Sequence, residues 1–159
     1  MANILEKIKS ENWDLIYATQ DTHYEDYLDT QEGVRLPVEH CIYGTNGWCI
    51  QENIAIELER HPFELIDKST FGSLNLTDTI LKDIVFSANT LKESECELTL
   101  VGVCTNICVI SNVMLLKAYF PEMKIVVDAS CCAGTTPERH KMALEMMKDC
   151  QIDVINEEE

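Results

Sequence analysis

The feature that most constrains this chain is an alternation of short apolar runs with segments of helical spacing. Runs suited to buried parallel strands recur at LIYAT (15–19), FELID (63–67), ELTLVGV (97–103), KIVVDAS (124–130) and QIDVIN (151–156). Between them, ILEKIKSEN with Asn3 as its cap, QENIAIELER, TDTILKDIVFSANTLKES and NICVISNVMLLKAYF place apolar residues three and four apart. PERHKMALEMMKDC follows, with Thr136 as N-cap and Pro137 in its first turn. This alternation predicts a three-layer αβα fold, a doubly wound and mostly parallel sheet with helices on both faces, formed by a single domain over residues 1–159. Active sites of open α/β sheets gather at the carboxyl ends of the strands. The loops after Thr19, Asp67, Val103 and Ser130 are therefore where chemistry is expected. The long connection 20–48 has little periodicity, and loops of that length in compact domains are often functional.

Charge and cysteine usage narrow the function classes. Twenty-eight acidic against twelve basic residues give a formal net charge of −16, which repels phosphate backbones and anionic membrane surfaces. A nucleic-acid partner and a membrane partner are not expected. No stretch approaches the roughly 20 apolar residues of a membrane span, and MANILEKIKSEN lacks the apolar core of a signal peptide, so a cytoplasmic location is expected. Eight cysteines without an export signal read as reduced thiols, mostly small buried hydrophobes. No CxxC pair is present, which argues against a four-thiolate zinc site.

Three places carry reactive residue types. After the first strand, Asp21 and His23 are two apart and His40 lies in the same connection, so a carboxylate and two imidazoles can converge on a divalent ion. By spacing alone such a pair is more often solvated or capping. Lys68 stands at the end of the second apolar run, either exposed or as a half-buried cation for a neighbouring anion. In LTLVGVCTNICVISNVMLL (98–116), a helix capped by Thr105 or Asn106 puts Cys108 in its first turn, where free N–H groups and the helix dipole favour a thiolate. Cys104 precedes that helix. Taken alone, this pair fits core packing or metal ligation as well as catalysis.

Taken together, these pieces resemble the isochorismatase-like cysteine hydrolases, and within them the metal-containing nicotinamidase and pyrazinamidase branch. Thr105-Asn106-Ile107-Cys108 resembles the nucleophile motif, Lys68 the lysine after the preceding strand, and Asp21 with His23 the Asp-x-His pair. His40-Cys41 with Gly44-Thr45-Asn46-Gly47 resembles the later His-Cys dipeptide and its Gly-Thr-x-Gly turn. The resemblance implies a Cys108 thiolate that attacks a small-molecule amide and a thioester that water then hydrolyses. It further implies a cis peptide before Cys104, an oxyanion hole from the backbone N–H groups of Cys104 and Cys108, and Lys68 as the stabilising cation. Asp21, His23 and His40 would hold a divalent metal, zinc first, with iron or manganese as alternatives. A homo-oligomer is also implied.

Two departures from that family pattern stand out. The family opens with a central strand ending in an Asp-x-Gln type motif, whose aspartate is the general acid/base. This sequence starts in what should be the first helix, so the usual first central strand and its loop, about 20–30 residues, are expected to be missing. A late start codon, a truncated chain and a natural loss are the three explanations, and the expected consequence is weak activity or none. The second departure is in the segment before His40, Arg35-Leu36-Pro37-Val38-Glu39, which lacks the family's ring-stacking Trp. Tyr24, Tyr27 and Trp48 are the aromatic candidates for a substrate pocket. Competing readings are a non-catalytic protein of the same fold that binds a metal and a small ligand, and a thiol sensor built on Cys104, Cys108, Cys131 and Cys132.

Overall fold

A computed structural model describes residues 1–86 and 91–157 of the chain. Six helices and five strands alternate as the sequence pattern predicts. They are α1 (Ala2–Ser10), β1 (Ile16–Asp21), α2 (Gln31–Arg35), α3 (Glu52–Leu58), β2 (Phe63–Lys68), α4 (Leu74–Phe86), β3 (Glu97–Val103), α5 (Ile110–Tyr119), β4 (Lys124–Ala133), α6 (Pro137–Asp149) and β5 (Asp153–Ile155). Every strand pair is parallel, but the strands form two sets, β1 with β2 and β3-β4-β5. The chain divides accordingly into two compact units, Ile8–Thr70 and a larger one made of Met1–Lys7 with Phe71–Glu159.

In the larger unit β4 lies between its two partners, and residues 125–129 are all buried, the burial of a central parallel strand covered on both faces. Val113 and Leu116 of α5 and Leu144 and Met147 of α6 are also buried. Burying such side chains contributes about 1.5–3 kcal/mol each. Asp128, 2% exposed, sits in the middle of β4 and accepts hydrogen bonds from Ser130 Oγ at 2.7 Å and Asn156 Nδ2 at 3.0 Å, with Lys7 Nζ at 3.4 Å. Burial alone would raise its pKa, yet these three donors outweigh burial and hold it below the usual carboxylate value.

Several element ends differ from the sequence expectation. Asn3 is not a cap: α1 already includes Ala2, and the Asn3 amide donates instead to the Ser130 carbonyl at 2.6 Å. A tertiary acceptor has taken the side chain from its local role. Helix α4 starts at Leu74, three residues before the TDTILKDIVF pattern, with Ser73 Oγ accepting from Leu76 N–H. The far end of that expected helix lies partly outside the described residues, and Glu93–Glu95 forms a 3-10 turn. Strand β1 runs two residues further than expected, to Asp21, because its ladder to β2 continues to the pair Asp21 and Lys68. The connection 20–48 is not structureless. It holds a 3-10 turn, Tyr27–Asp29, the helix α2, and a parallel bridge between His23 and Ile42. Thr136 caps α6 as predicted, accepting from Arg139 N–H at 3.2 Å, with Pro137 first in the helix.

Candidate functional site

The unit Ile8–Thr70 brings the three predicted metal ligands together. Strand β1 ends at Asp21, His23 follows on the bridge to Ile42, and the chain returns past His40, so that one ligand atom from each lies within 4.8 Å of the others. Two further features suit a cation. The Nε2 atom of His23, on a residue only 6% exposed, is buried without a hydrogen-bond partner. An orphaned buried nitrogen is costly unless something binds it. His40 Nδ1 lies 2.8 Å from the Val38 carbonyl, a bond that puts the proton on Nδ1 and leaves Nε2 as a lone-pair donor, the usual outer-shell arrangement of a metal-bound imidazole.

Sequence reasoning missed Glu32. Its carboxylate oxygen stands 3.9 Å from His23 Nε2 and 3.7 Å from His40 Nε2, making it a fourth candidate oxygen donor at the same place. No spacing signal marks it; helix α2 carries it there. Thr30 caps α2, accepting from Gly33 N–H at 3.0 Å, and Gly33 lies so close to the preceding turn that a Cβ would come within 2.0 Å of the Tyr27 carbonyl oxygen.

Lys68 is buried rather than solvent-exposed, and its ammonium donates to Asp21 Oδ1 at 2.5 Å and to the Thr70 carbonyl at 3.2 Å. Pairing permits this burial. A carboxylate has about four lone-pair sites, so a bond to Lys68 through Oδ1 does not by itself prevent Asp21 from also binding a cation.

The aromatic candidates separate into two kinds. Tyr27 is fully buried, its hydroxyl donating to the Leu36 carbonyl at 3.0 Å and its ring 4.7 Å from that of His23 and 5.0 Å from that of His40. Burial first, then the nearby Glu32 and Asp21 charges, push its hydroxyl pKa up. It braces the two imidazoles. Tyr24 is exposed and Trp48 half-buried, linked through Tyr43, which sequence reasoning did not single out, at ring separations of 5.9 and 4.7 Å. Trp48 Nε1 donates to Thr22 Oγ1 at 2.9 Å, which fixes this aromatic run beside Asp21. Cys41 has a positive φ of 48°, and burial pushes its thiol pKa up, with Asp21 adding to the effect and Lys68 opposing it.

The larger unit carries the thiol turn. The Val103–Cys104 peptide is cis, at the place the family resemblance implied. Neither Thr105 nor Asn106 is the cap. Cys104 occupies that position, and Thr105–Val109 forms a π-helical turn before α5 begins at Ile110. Cys108 is the fourth residue of this turn and is half-buried. Single π turns of this kind recur at functional sites. Asn112, buried, donates from Nδ2 to the Cys108 carbonyl at 2.8 Å and to the Phe71 carbonyl at 3.1 Å, and accepts from Ser73 N–H at 2.9 Å. All eight cysteines are free thiols. Burial pushes the Cys132 thiol up to about 11.

The chain is an α/β protein of parallel strands, with an Asp-His-His set in one unit and a thiol on a helical turn after a strand in the other. The Isochorismatase domain model matches residues 1–159, and the chain belongs to that family. No curated protein matches it significantly. Among solved structures, it is similar to nicotinamidase PncA from Bacillus subtilis, with 25% identity over 98% of this chain and 83% of that one and a TM-score of 0.77. PnC1 from L. infantum in complex with nicotinate superposes with a TM-score of 0.75 at 15% identity, covering 98% and 78%. Pyrazinamidase of Pyrococcus horikoshii in complex with zinc gives 0.65 at 20% identity, covering 98% and 82%. The protein is thus an isochorismatase-family hydrolase, structurally close to nicotinamidases, with the corresponding fold of helices and parallel strands. No described helix is long and apolar enough to cross a membrane.

Proposed function

We propose that this protein is a cysteine amidohydrolase that cleaves a small aromatic carboxamide, with nicotinamide as the leading substrate, and that it carries a divalent metal, zinc foremost. The observation that carries this reading is the convergence of Asp21, His23 and His40 around an unpartnered buried imidazole nitrogen, in a chain that also presents Cys108 on a helical turn. The similarity to a nicotinamidase at 25% identity supports the substrate class. The relatives' complexes with zinc and with nicotinate support the metal and the aromatic acid product.

In the proposed reaction the Cys108 thiolate adds to the amide carbon. The backbone N–H groups of Cys104 and Cys108 are the proposed oxyanion holders, and Lys68 is the stabilising cation that the family resemblance implies. The C–N bond breaks, the nitrogen takes a proton and leaves as ammonia, and water hydrolyses the thioester to acid and free thiol. Asp21, His23, His40 and Glu32 are the residues that would hold the metal. A metal bound there supplies Lewis acidity and a fixed place for a ring nitrogen or water. Trp48, Tyr43 and Tyr24 offer the aromatic surface for the ring.

Proton transfer to the leaving nitrogen needs a positioned acid. Asp21 is engaged by Lys68, and Asp14 is exposed and precedes β1, at the opposite strand end. The test is nicotinate release from nicotinamide, with and without a chelator. Expected are release that requires metal, and loss of at least about a thousandfold in Cys108→Ala, the scale of removing a nucleophile. Release undiminished in Cys108→Ala would overturn the assignment. Metal binding without any release would favour a non-catalytic ligand-binding protein instead.

A further inference from the structure

We propose that His140, on α6, is a positioning residue for the Cys108 thiol, acting through Thr105; the proposal rests on Cys108 being the nucleophile. Thr105 is 0% exposed, and its hydroxyl lies 2.7 Å from His140 Nδ1. A hydroxyl so buried needs a partner. This one is kept whichever way the proton sits, because the threonine donates to a bare Nδ1 or accepts from Nδ1–H.

The imidazole is itself held in place. His140 N–H donates to the Thr136 carbonyl at 2.9 Å, within the capped first turns of α6. Gly134 lies directly against it, and a Cβ there would come within 2.8–2.9 Å of His140 Cβ, Cα and N, so only glycine permits this approach. The same loop grips the next residue of the thiol turn. Thr135 N–H donates to Asn106 Oδ1 at 2.8 Å, and Asn106 Nδ2 donates to Thr135 Oγ1 at 3.1 Å. Residues 134–140 therefore fix Thr105 and Asn106, the first two residues of the π turn.

Cys108 is the fourth residue of that turn, and Ile110 N–H closes the π turn onto the Thr105 carbonyl. Anchoring Thr105 by its side chain sets the course of the turn's backbone, and with it the environment of the sulfur. At the other end Asn112 holds the Cys108 carbonyl at 2.8 Å. The turn is clamped on both sides, and the Thr105 end is tied to α6 through the His140 ring. His140 touches no reacting atom in this scheme; its role is geometric.

Residue-resolved iodoacetamide alkylation of the full chain near neutral pH, read by peptide mass spectrometry, tests this. With the hydrogen bond gone, His140→Leu is expected to slow Cys108 alkylation about tenfold while exposed Cys49 and Cys150 are unchanged. His140→Asn, whose amide can occupy the Nδ1 position, should restore the rate to within about threefold. Thr105→Val, nearly isosteric, should slow Cys108 alike, and combining it with His140→Leu should add nothing, the signature of one shared interaction. Should His140→Leu fail to fold, the Thr105→Val arm carries the test. A Cys108 rate within about twofold of wild type in the folded single variants, or fully additive effects, would overturn the proposal. A wild-type Cys108 that reacts no faster than Cys49 and Cys150 would instead overturn the nucleophile assignment, and this proposal with it.

Discussion

Cysteine 132 shows how differently one fold treats chemically identical side chains. Its thiol, on β4, is pushed up to about 11, chiefly by burial, while a backbone hydrogen bond from Gly102 opposes the shift. The unfolded thiol titrates near 9.0. Because the folded pKa is the higher one, the neutral thiol's contribution to stability is fully present below about pH 9 and is lost as pH rises toward about 11. The shift corresponds to about 3 kcal/mol. Chemical denaturation at about pH 8 and about pH 10.5 should therefore show wild type losing more stability than Cys132→Ala over that interval. Equal losses would show that the thiol does not ionise differently in the two states. At this scale the sequence pointed to residue types but not to their surroundings. His23, His40, Asp21 and Cys108 could be named from motif order, whereas Glu32, Tyr43 and His140 could not. Each of those three is placed by a tertiary contact that leaves no periodic trace.

At the scale of elements, the alternation of strands and helices was legible because both faces of a parallel strand are covered and the run must be apolar throughout. In β4, Ile125, Val126, Val127 and Ala129 follow that rule, and the one charged residue among them, Asp128, is held by Ser130, Asn156 and Lys7. Ends were less legible wherever a side chain found a distant partner, as Asn3 did in Ser130, or where the turn was not α-helical, as at Thr105–Val109. The small helix α2 inside the connection 20–48 was invisible for a related reason. Five residues are too few to show a period, and Thr30 and the tight seat of Gly33 hold it in place. That seat gives a test. In Gly33→Ala the new Cβ meets the Tyr27 backbone, not a flexible side chain, so α2 must shift and take Glu32 away from the two imidazoles. The expected cost is about 1–3 kcal/mol by thermal unfolding. Zinc affinity by calorimetry should fall by about tenfold, the usual scale for disturbing a ligand or its support. A variant with wild-type stability and zinc affinity would remove Glu32 and α2 from the account of the metal centre.

For the molecule as a whole, the family is secure and the chemistry is what needs measuring. The Isochorismatase domain model covers all 159 residues, and the strong negative charge is consistent with the expectation that neither nucleic acid nor membrane is a partner. The central claim is that Cys108, alone among eight free thiols, accepts an acyl group from an aromatic carboxyl derivative. A nitrophenyl ester of nicotinic acid isolates that step, because its leaving group departs without a protonating acid. Peptide mapping after a brief exposure should find the nicotinoyl group on Cys108 and absent from Cys49 and Cys150. An acyl group spread over the exposed cysteines, or none on Cys108, would contradict the account.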